Sequence, residues 1–509
     1  MIKKIFQNIN VKFFITLVLV VFALYGKSLF FDFTYLDDDV LILDKQEYLS
    51  FSNIKNILTD TVFARGQDKF CRPLLNVSFL IEKYIYGIKP YGYHLTNVML
   101  HIFAVFSVFL LLSLKYDKKK VFIVSILFAC HPALTQAVVW IPGRNDSLLT
   151  IFAVMSFYFL IRYFDNKKNT YLAFHFFLYA CSLLTKETAV MIPLFYFMYL
   201  LFTKQRVKTN VLFVSGWLSV GIFYFLYRSF VLSYQTYSYT VSDMSGIFFK
   251  SLPAATKYIA NVFFPLNLSV FPSTVEVNYF LAAAVVFVFI LLAVTAKKQY
   301  DKKILLFGML WFIAFLLPTF VMPDNQFYDH RIYLPMVGIF IILLELVKSY
   351  KPDNWRFLYI FVLTAVMFFA ALSFFHENKF KNKQIFWVNA LIDSPDSDIT
   401  NACVAGLLDE VKMYKESEKK YLRAIEIKKY SKHYVNLAVL YIHMKELEKA
   451  EQALLKALDL RDDNPMIYYN LAIVYRNKGN KELALKMKDL YLKVFKDTNK
   501  YQRTEDIRI

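Results

Sequence analysis

YHLTNVMLHIFAVFSVFLLLSLKYDKKKVFIVSILFACHPALTQAVVW, residues 93–140, reads as two apolar runs joined by a short basic loop. A bilayer-crossing helix needs about 20 mostly apolar residues. Residues 93–114 and 121–140 both satisfy this, and Lys115, Lys118, Lys119 and Lys120 lie between them. The pattern recurs along the chain. Candidate spans are 12–30, 93–114, 121–140, 147–163, 170–185, 188–203, 210–232, 278–296, 303–322, 331–347 and 355–375, eleven in all. The expected fold class is therefore all-α, a polytopic membrane helical bundle.

Composition agrees with this reading. Of 509 residues, 57% are hydrophobic and 19% charged, against about 25% charged in soluble domains. The chain carries 53 Phe and 36 Tyr; tyrosine suits the membrane–water boundary, where one end of the ring is wet. The net charge of +19 sits largely in short loops. It is read as an orientation signal, with no nucleic-acid partner expected. One side collects the lysines at 115–120, then Arg162, Lys167 and Lys168, then Lys204, Arg206 and Lys208. Lys297, Lys298, Lys302 and Lys303 follow, then Lys348 and Lys351, and Lys3 and Lys4 precede the first span. Short loops on the other side hold only Arg144, Lys186 and Arg331. Basic loops stay in the cytoplasm, so the N-terminus is expected inside a plasma (inner) membrane. With an odd number of spans, everything after about residue 376 is expected outside.

Residues 1–26 resemble a signal peptide, with a basic tip and an apolar run. No small-x-small cleavage site follows Leu24, so a retained first span is expected. Cys71, Cys130, Cys181 and Cys403 are scattered and predict neither a disulfide framework nor a metal site. Two long outer loops are expected, at 31–92 and 233–277. In the first, FSNIKNILTD and RPLLNVSFLIEKYIYG (51–60 and 72–87) have the periodicity of amphipathic surface helices.

After the membrane domain, 1–376, the character changes. HYVNLAVLYIHMKELEKAEQALLKALDL from His433 is echoed by MIYYNLAIVYRNKGNKELALKMKDLYLKV from Met466. Asn436 matches Asn470, Leu437 matches Leu471, Tyr441 matches Tyr475 and Ala450 matches Ala484, each 34 residues apart. NACVAGLLDEVKMYKESEKKYLRAIEI, from Asn401, looks like a weaker first copy. A 34-residue helix–turn–helix period with Pro465 at a joint resembles the tetratricopeptide repeat. It predicts a short α-helical solenoid over 383–498 that offers a surface to a protein partner.

Chemistry concentrates at the expected outer face. YLDDDVLILDKQEY, 35–48, places Asp37, Asp38 and Asp39 just after the first span. Adjacent carboxylates repel one another, and a carboxylate there is suited to take a proton from an acceptor hydroxyl. A solvated acidic turn is the alternative. Arg72 closes the surface loop. His94, Asn97 and His101 are three and four apart on one helical face. His131 precedes WIPGRND with Trp140, Arg144 and Asp146; Lys186 and Glu187 separate two apolar runs; DHRIYLP supplies Asp329, His330, Arg331 and Tyr333. A lone histidine in a span is more often a satisfied core group than a ligand, so the collection carries the argument. Arg144, Lys186 and Arg331 suit a phosphate, and the acidic pair Asp37 and Asp38 suits a base. Pairing of the cations by Asp146, Glu187 and Asp329 is the structural alternative.

The ordered set LDDD, RPLLNVSF, YHLTNVMLH, HPALTQAVVWIPGRND, TKE, DHRIYLP and then tandem repeats resembles the transmembrane and tetratricopeptide-repeat O-mannosyltransferases and their bacterial relatives, within the type-C glycosyltransferase superfamily. The resemblance covers nearly the whole chain. It implies a polyprenyl-phosphate-linked sugar donor, mannose among the candidate sugars, a protein or glycan acceptor, and transfer outside the cytoplasm. It implies catalytic Asp37 and Asp38, and donor phosphate on Arg144, Lys186 and Arg331. Asp39, Arg72, His94, His131, Asp146, Glu187, His330 and Tyr333 stand in support. Where the family often has Glu-Arg before Y-L-P, this chain has His330–Arg331. The repeat array is also shorter than in the eukaryotic members. No cofactor or metal is required, although three adjacent carboxylates suit a divalent cation. Two other readings stand. An O-antigen-ligase-like enzyme would carry its key residues in the later outer loop, which here holds few charges. A scaffold or lipid transporter would more often place ionisable groups near mid-membrane.

Overall fold

The computed structural model describes residues 11–63, 70–204, 207–232, 241–273, 277–296, 299–321, 326–348, 355–460 and 464–498. Lys3, Lys4, Arg206, Lys297, Lys298, Lys351 and parts of the second outer loop lie outside these. Among the described residues every regular element is helical, and the chain divides into two compact units that part at Lys383 and Gln384, with Phe271–Ser273 joining the second.

In the first unit the helices are α1 Val11–Tyr25, α2 Ile54–Thr59, α3 Pro73–Tyr86, α4 Pro90–Leu112, α5 Lys118–Ala129, α6 Thr135–Val139, α7 Arg144–Asn166 and α8 Asn169–Leu183. They continue as α9 Ile192–Phe202, α10 Val207–Val231, α11 Val241–Ser251, α12 Ala255–Asn261, α13 Tyr279–Thr295, α14 Lys302–Leu316, α15 Met336–Val347 and α16 Trp355–Glu377. Each of the eleven expected spans contains helix among the described residues, though 121–140 is broken near His131 and 331–347 begins in a turn. Among the described residues, six helices are long and apolar enough to cross a membrane: Val11–Phe30, Pro90–Leu112, Ile141–Asn166, Val211–Val231, Lys302–Val321 and Tyr359–Phe380. A seventh arises if Lys118–Ala129 and Pro132–Val139, bent by 55°, count together. The bend follows from Pro132, which cannot continue the hydrogen-bond ladder. Glu187–Phe202, Tyr279–Thr295 and Met336–Val347 are apolar but short. At 1.5 Å per residue the 12 residues of α15 span well under the roughly 30 Å hydrocarbon core. The expected span 331–347 is shortened because DHRIYLP forms a separate tight turn, Asp329–Ile332, before Pro335.

Caps and close crossings set the helix ends and spacing. Asp117 accepts from the Lys119 and Lys120 amides at the start of α5, and Asp301 accepts from the Lys303 amide at the start of α14. Side chains that accept from a first-turn N–H satisfy donors the helix cannot. Helices α14 and α15 cross at Gly308 and Gly338. A Cβ on Gly308 would lie 2.6 Å from the Gly338 carbonyl oxygen, and one on Gly338 would lie 2.4 Å from that of Gly308. Only small residues allow so close a crossing. It seats the turn Asp329–Ile332 above α15, where Trp311 donates to the Leu334 carbonyl at 3.0 Å. On the side of the basic loops, Glu345 is buried and takes Tyr116 Oη at 2.9 Å, the Asp301 amide at 2.6 Å and the Lys348 ammonium. An ionisable residue inside a span invites a functional reading; here its donors make it a tie between loops.

The second unit has α17 Lys383–Asp393, α18 Asp398–Glu410, α19 Tyr414–Ile427, α20 Ser431–His443, α21 Leu447–Asp459, α22 Pro465–Asn477 and α23 Lys481–Thr498. The last six form three antiparallel pairs, the weaker first copy included. Ala405, Leu437, Ala438, Ala450, Leu454, Ala457 and Leu471 belong to one buried core. Tyrosines at the repeat position close the joints: Tyr441 Oη donates to Glu418 at 2.7 Å and Tyr475 Oη to Glu451 at 2.9 Å.

Candidate active site

The acidic segment is a strained turn. Asp38 is buried, and its carboxylate accepts from the Thr34 amide at 2.6 Å, Thr34 Oγ1 at 2.9 Å and the Leu36 amide at 3.1 Å. Tyr35 and Asp37 take left-handed backbone, φ 59° and 68°, which costs a non-glycine residue roughly 1–2 kcal/mol. The Asp38 staple and a bond from Trp140 Nε1 to the Leu36 carbonyl, 2.7 Å, hold that conformation. Asp38 is therefore committed to shaping the turn. Asp37 is half-buried, and its carboxylate makes no hydrogen bond or ion pair among the described residues. Burial and neighbouring Asp39 raise the Asp37 carboxyl to about 6, with Arg72 pulling the other way. Burial raises Asp38 to about 7, against the lowering effect of its Thr34 bonds. Asp39 begins the single helical turn Asp39–Leu43.

The cations separate into two kinds. Arg144 is fully buried. It pairs with Glu82, donates to the Tyr93 carbonyl at 3.0 Å, the Ile141 carbonyl at 3.3 Å and Ser78 Oγ at 3.4 Å, and lies over the Phe79 ring. All three guanidinium nitrogens are engaged, so this geometry gives Arg144 a structural place in α3–α4–α7 rather than the expected phosphate contact. Lys186 pairs with Asp146 at 2.6 Å, and Arg72 with Glu187 through Nε and Nη2 at 3.0 and 2.9 Å. Glu187 also accepts from the Cys71 amide at 3.1 Å. Arg72 and Arg331 both lie within electrostatic reach of Lys186.

Arg331 differs from the others. Its Nη1 is buried without a hydrogen-bond partner among the described residues. It lines a pocket with Lys186, Asp146, Thr188, Thr319 and Leu149, formed where α7, α14 and the turns Glu187–Met191 and Asp329–Ile332 meet. The ionisable lining carries two cations and one carboxylate, a charge deficit that suits a monoanionic phosphodiester. Asp329, adjacent in sequence to the Arg331 region, pairs instead with Lys257 at 3.3 Å. It also accepts from Asn261 at 2.8 Å and the Ser269 amide at 3.2 Å, tying down the segment that carries α12.

Asn97, His101, His131 and His330 find partners within the protein, whereas both ring nitrogens of His94 are buried without a hydrogen-bond partner among the described residues. Asn97 Nδ2 donates to the carbonyls of Val138, Trp140 and Ile141 at 3.0, 3.1 and 3.3 Å. His101 Nδ1 meets Tyr333 Oη at 2.5 Å, and its Nε2 meets the Ala129 carbonyl at 3.1 Å. His131 Nε2 meets the Val262 carbonyl at 3.1 Å. His330 Nδ1 meets Gln136 Oε1 at 3.0 Å, and its Nε2 stands 3.7 Å from Asp146. His94 is buried against the Phe31 ring. Sequence reading missed Glu82. The signal was available: Leu75, Phe79 and Glu82 fall on one buried stripe of α3, and a charge on an apolar stripe needs a buried partner.

Fold and site together define a multi-pass membrane protein with a pocket lined by Arg331, Lys186 and Asp146 and a carboxylate turn in one unit and tandem helical repeats in the other. Residues 84–227 match the family described as dolichyl-phosphate-mannose-protein mannosyltransferase. Residues 432–464 and 453–486 match tetratricopeptide-repeat families. The chain is 33% identical over 193 residues to human protein O-mannosyl-transferase TMTC3, covering 36% of this chain and 21% of that protein. It is 31% identical over 201 residues to human protein O-mannosyl-transferase TMTC2, covering 36% and 23%. With protein O-mannosyl-transferase Tmtc1 of Drosophila melanogaster it is 33% identical over 175 residues, covering 33% and 20%. The matched part thus spans about a fifth of these relatives' length. No solved structure matches. The membrane and repeat matches together support a transmembrane and tetratricopeptide-repeat O-mannosyltransferase-like family for this chain.

Proposed function

We propose that the protein is an integral-membrane, type-C glycosyltransferase that moves a sugar, mannose by analogy with the relatives' names, from a polyprenyl-phosphate donor to a hydroxyl of a protein acceptor. The observation that carries this is the unpartnered Arg331 Nη1 in a pocket shared with Lys186, in the same unit as an uncommitted carboxylate, Asp37. The donor phosphate sits on Arg331 and Lys186, with Arg72 near. A phosphate entering there relieves the unmet donor and loosens the Lys186–Asp146 pair. Asp37 takes the proton of the acceptor hydroxyl, the oxygen attacks the anomeric carbon, and the bond to the phosphate oxygen breaks. Polyprenyl phosphate leaves with its added negative charge held by the cations. A single displacement inverts the anomeric centre. The isoprenoid chain lies in the apolar groove of α8, α9 and α10, lined by Leu183, Val190, Phe197, Leu218 and Phe225, whose wall includes Glu187 beside the pocket's Lys186. The proposed mechanism assigns no metal. The reaction runs at the non-cytoplasmic face of the plasma membrane, with an odd number of spans, an N-terminus inside and the repeats outside, where they hold the protein acceptor.

The test is mannose transfer from a polyprenyl-phosphate donor to a hydroxyl peptide by purified protein. Asp37→Asn keeps shape but removes the base, and turnover drops roughly 10²–10⁴-fold while donor binding persists. Wild-type turnover in that variant overturns the assignment. A structural reading is favoured by the Lys186–Asp146 and Arg72–Glu187 pairs; it predicts no donor binding at all.

A further inference from the structure

We propose that Trp140 is the positioning residue of the acidic turn: its indole N–H fixes the peptide between Leu36 and Asp37 and so sets where the Asp37 carboxylate stands. The Leu36 residue lies between two left-handed residues, Tyr35 and Asp37. Both ends of its backbone are held. Its amide donates to Asp38 at 3.1 Å, and its carbonyl accepts from Trp140 Nε1 at 2.7 Å. The first bond is local to the turn. The second is the long-range one, joining residues 104 apart, and it ties the orientation of the turn to the rest of the unit. Indole N–H is a donor only, so it selects the carbonyl face of that peptide.

Trp140 is itself held from several sides. Its own carbonyl accepts from Asn97 Nδ2 at 3.1 Å, and the same amide group takes the carbonyls of Val138 and Ile141. The ring stacks on Tyr328, centroids 6.2 Å apart at 21°. At Gly143 a Cβ would stand 2.9 Å from the Gln136 carbonyl oxygen and 3.2 Å from Trp140 Cε3. The glycine of WIPGRND thus leaves the space in which the indole sits. Asn97, Trp140 and Gly143 form one chain of contacts ending at the carboxylate turn. Trp140 acts through the turn, with no contact to reacting atoms required.

The consequence for turnover rests on the transferase reading; the consequence for the turn does not. Two replacements remove the N–H: Trp140→Phe, and exchange of Trp140 for benzothienylalanine, which keeps the bicyclic shape. In hydrogen–deuterium exchange, the amides of Thr34 and Leu36 should exchange faster in both, with thermal stability close to wild type for the benzothienyl protein. With polyprenyl-phosphate mannose as probe, kcat should fall roughly 10²-fold, the scale of misplacing a reacting group by about 1 Å, while the donor KM holds. Unchanged exchange in both replacements overturns the proposal. So does a joint loss of kcat, donor affinity and stability in the benzothienyl protein, which marks a merely structural ring. Wild-type protein inert toward the probe strikes the transferase reading alone, and the exchange result then decides the role of Trp140.

Discussion

Arg144 and Arg331 are both arginines beside a turn in the same unit, and they do opposite things. Arg144 is fully buried with Glu82, two backbone carbonyls, a serine and a phenyl face around it. Arg331 lines an open pocket and carries a buried N–H with no partner among the described residues. A guanidinium offers five donors in a fixed fork. Where the protein itself fills the fork, the residue holds elements together. Where part of the fork is left unfilled beside a second cation, a donor remains for a further acceptor. The residue type is the same in the two cases; the partners distinguish them.

The largest effect should come from the Arg144 side. Arg144→Leu leaves Glu82 buried and unpaired, at a cost of roughly 3–5 kcal/mol. It should appear as a large drop in thermal stability in detergent, recovered in part by adding Glu82→Leu. Little loss in the single variant would erase the contrast with Arg331. Next in size is the pocket wall. Gly338→Ala forces a methyl against the Gly308 carbonyl and should cost roughly 1–3 kcal/mol as overpacking, read as a lowered unfolding temperature with donor binding weakened through the displaced turn at 329–332. Unaltered stability would show that the α14–α15 crossing gives way freely.

A pH series sharpens the comparison at the acidic turn. Burial lifts Asp37 to about 6 and Asp38 to about 7, above the ordinary carboxylate range. The folded state then holds these protons more tightly than the unfolded chain. Their contribution to stability is full below about 4, the unfolded value, and is lost as pH rises through about 6 and 7. Turnover runs the other way, because the base must be ionised: it should fall about tenfold per pH unit below about 6. Turnover and unfolding temperature should therefore move in opposite directions across that window. An acid limb centred near 4 would place the base outside this buried turn.

How much of this was legible in the sequence varies with the range of the interaction. The repeats were legible because their period writes the same contact twice: Leu437 and Leu471 are both core, and Tyr441 and Tyr475 both reach back to a glutamate. The helices of the membrane unit were legible as apolar runs, but not the break after Ala129 or the brevity of α15, which depend on where a turn packs. The shared face of His94, Asn97 and His101 followed from helical spacing; their partners, Trp140 and Tyr333 among them, lie far along the chain. Arg144 read as a ligand because Glu82, 62 residues away, gives no local sign of pairing. The acidic triplet read as a catalytic pair, Asp37 and Asp38, with Asp39 in support, yet the Thr34 bonds divide that pair into a staple, Asp38, and an uncommitted group, Asp37.

The most direct measurement compares binding of a polyprenyl-phosphate sugar to purified wild-type and Arg331→Lys protein, with the unfolding temperature recorded on the same samples. Lysine keeps the charge but loses the planar fork that grips phosphate oxygens. The account predicts donor binding weakened roughly tenfold, the scale of one charge-assisted hydrogen bond lost, with the unfolding temperature unchanged. Undiminished donor binding in the well-folded variant would contradict the claim that Arg331 is the open half of a phosphate site.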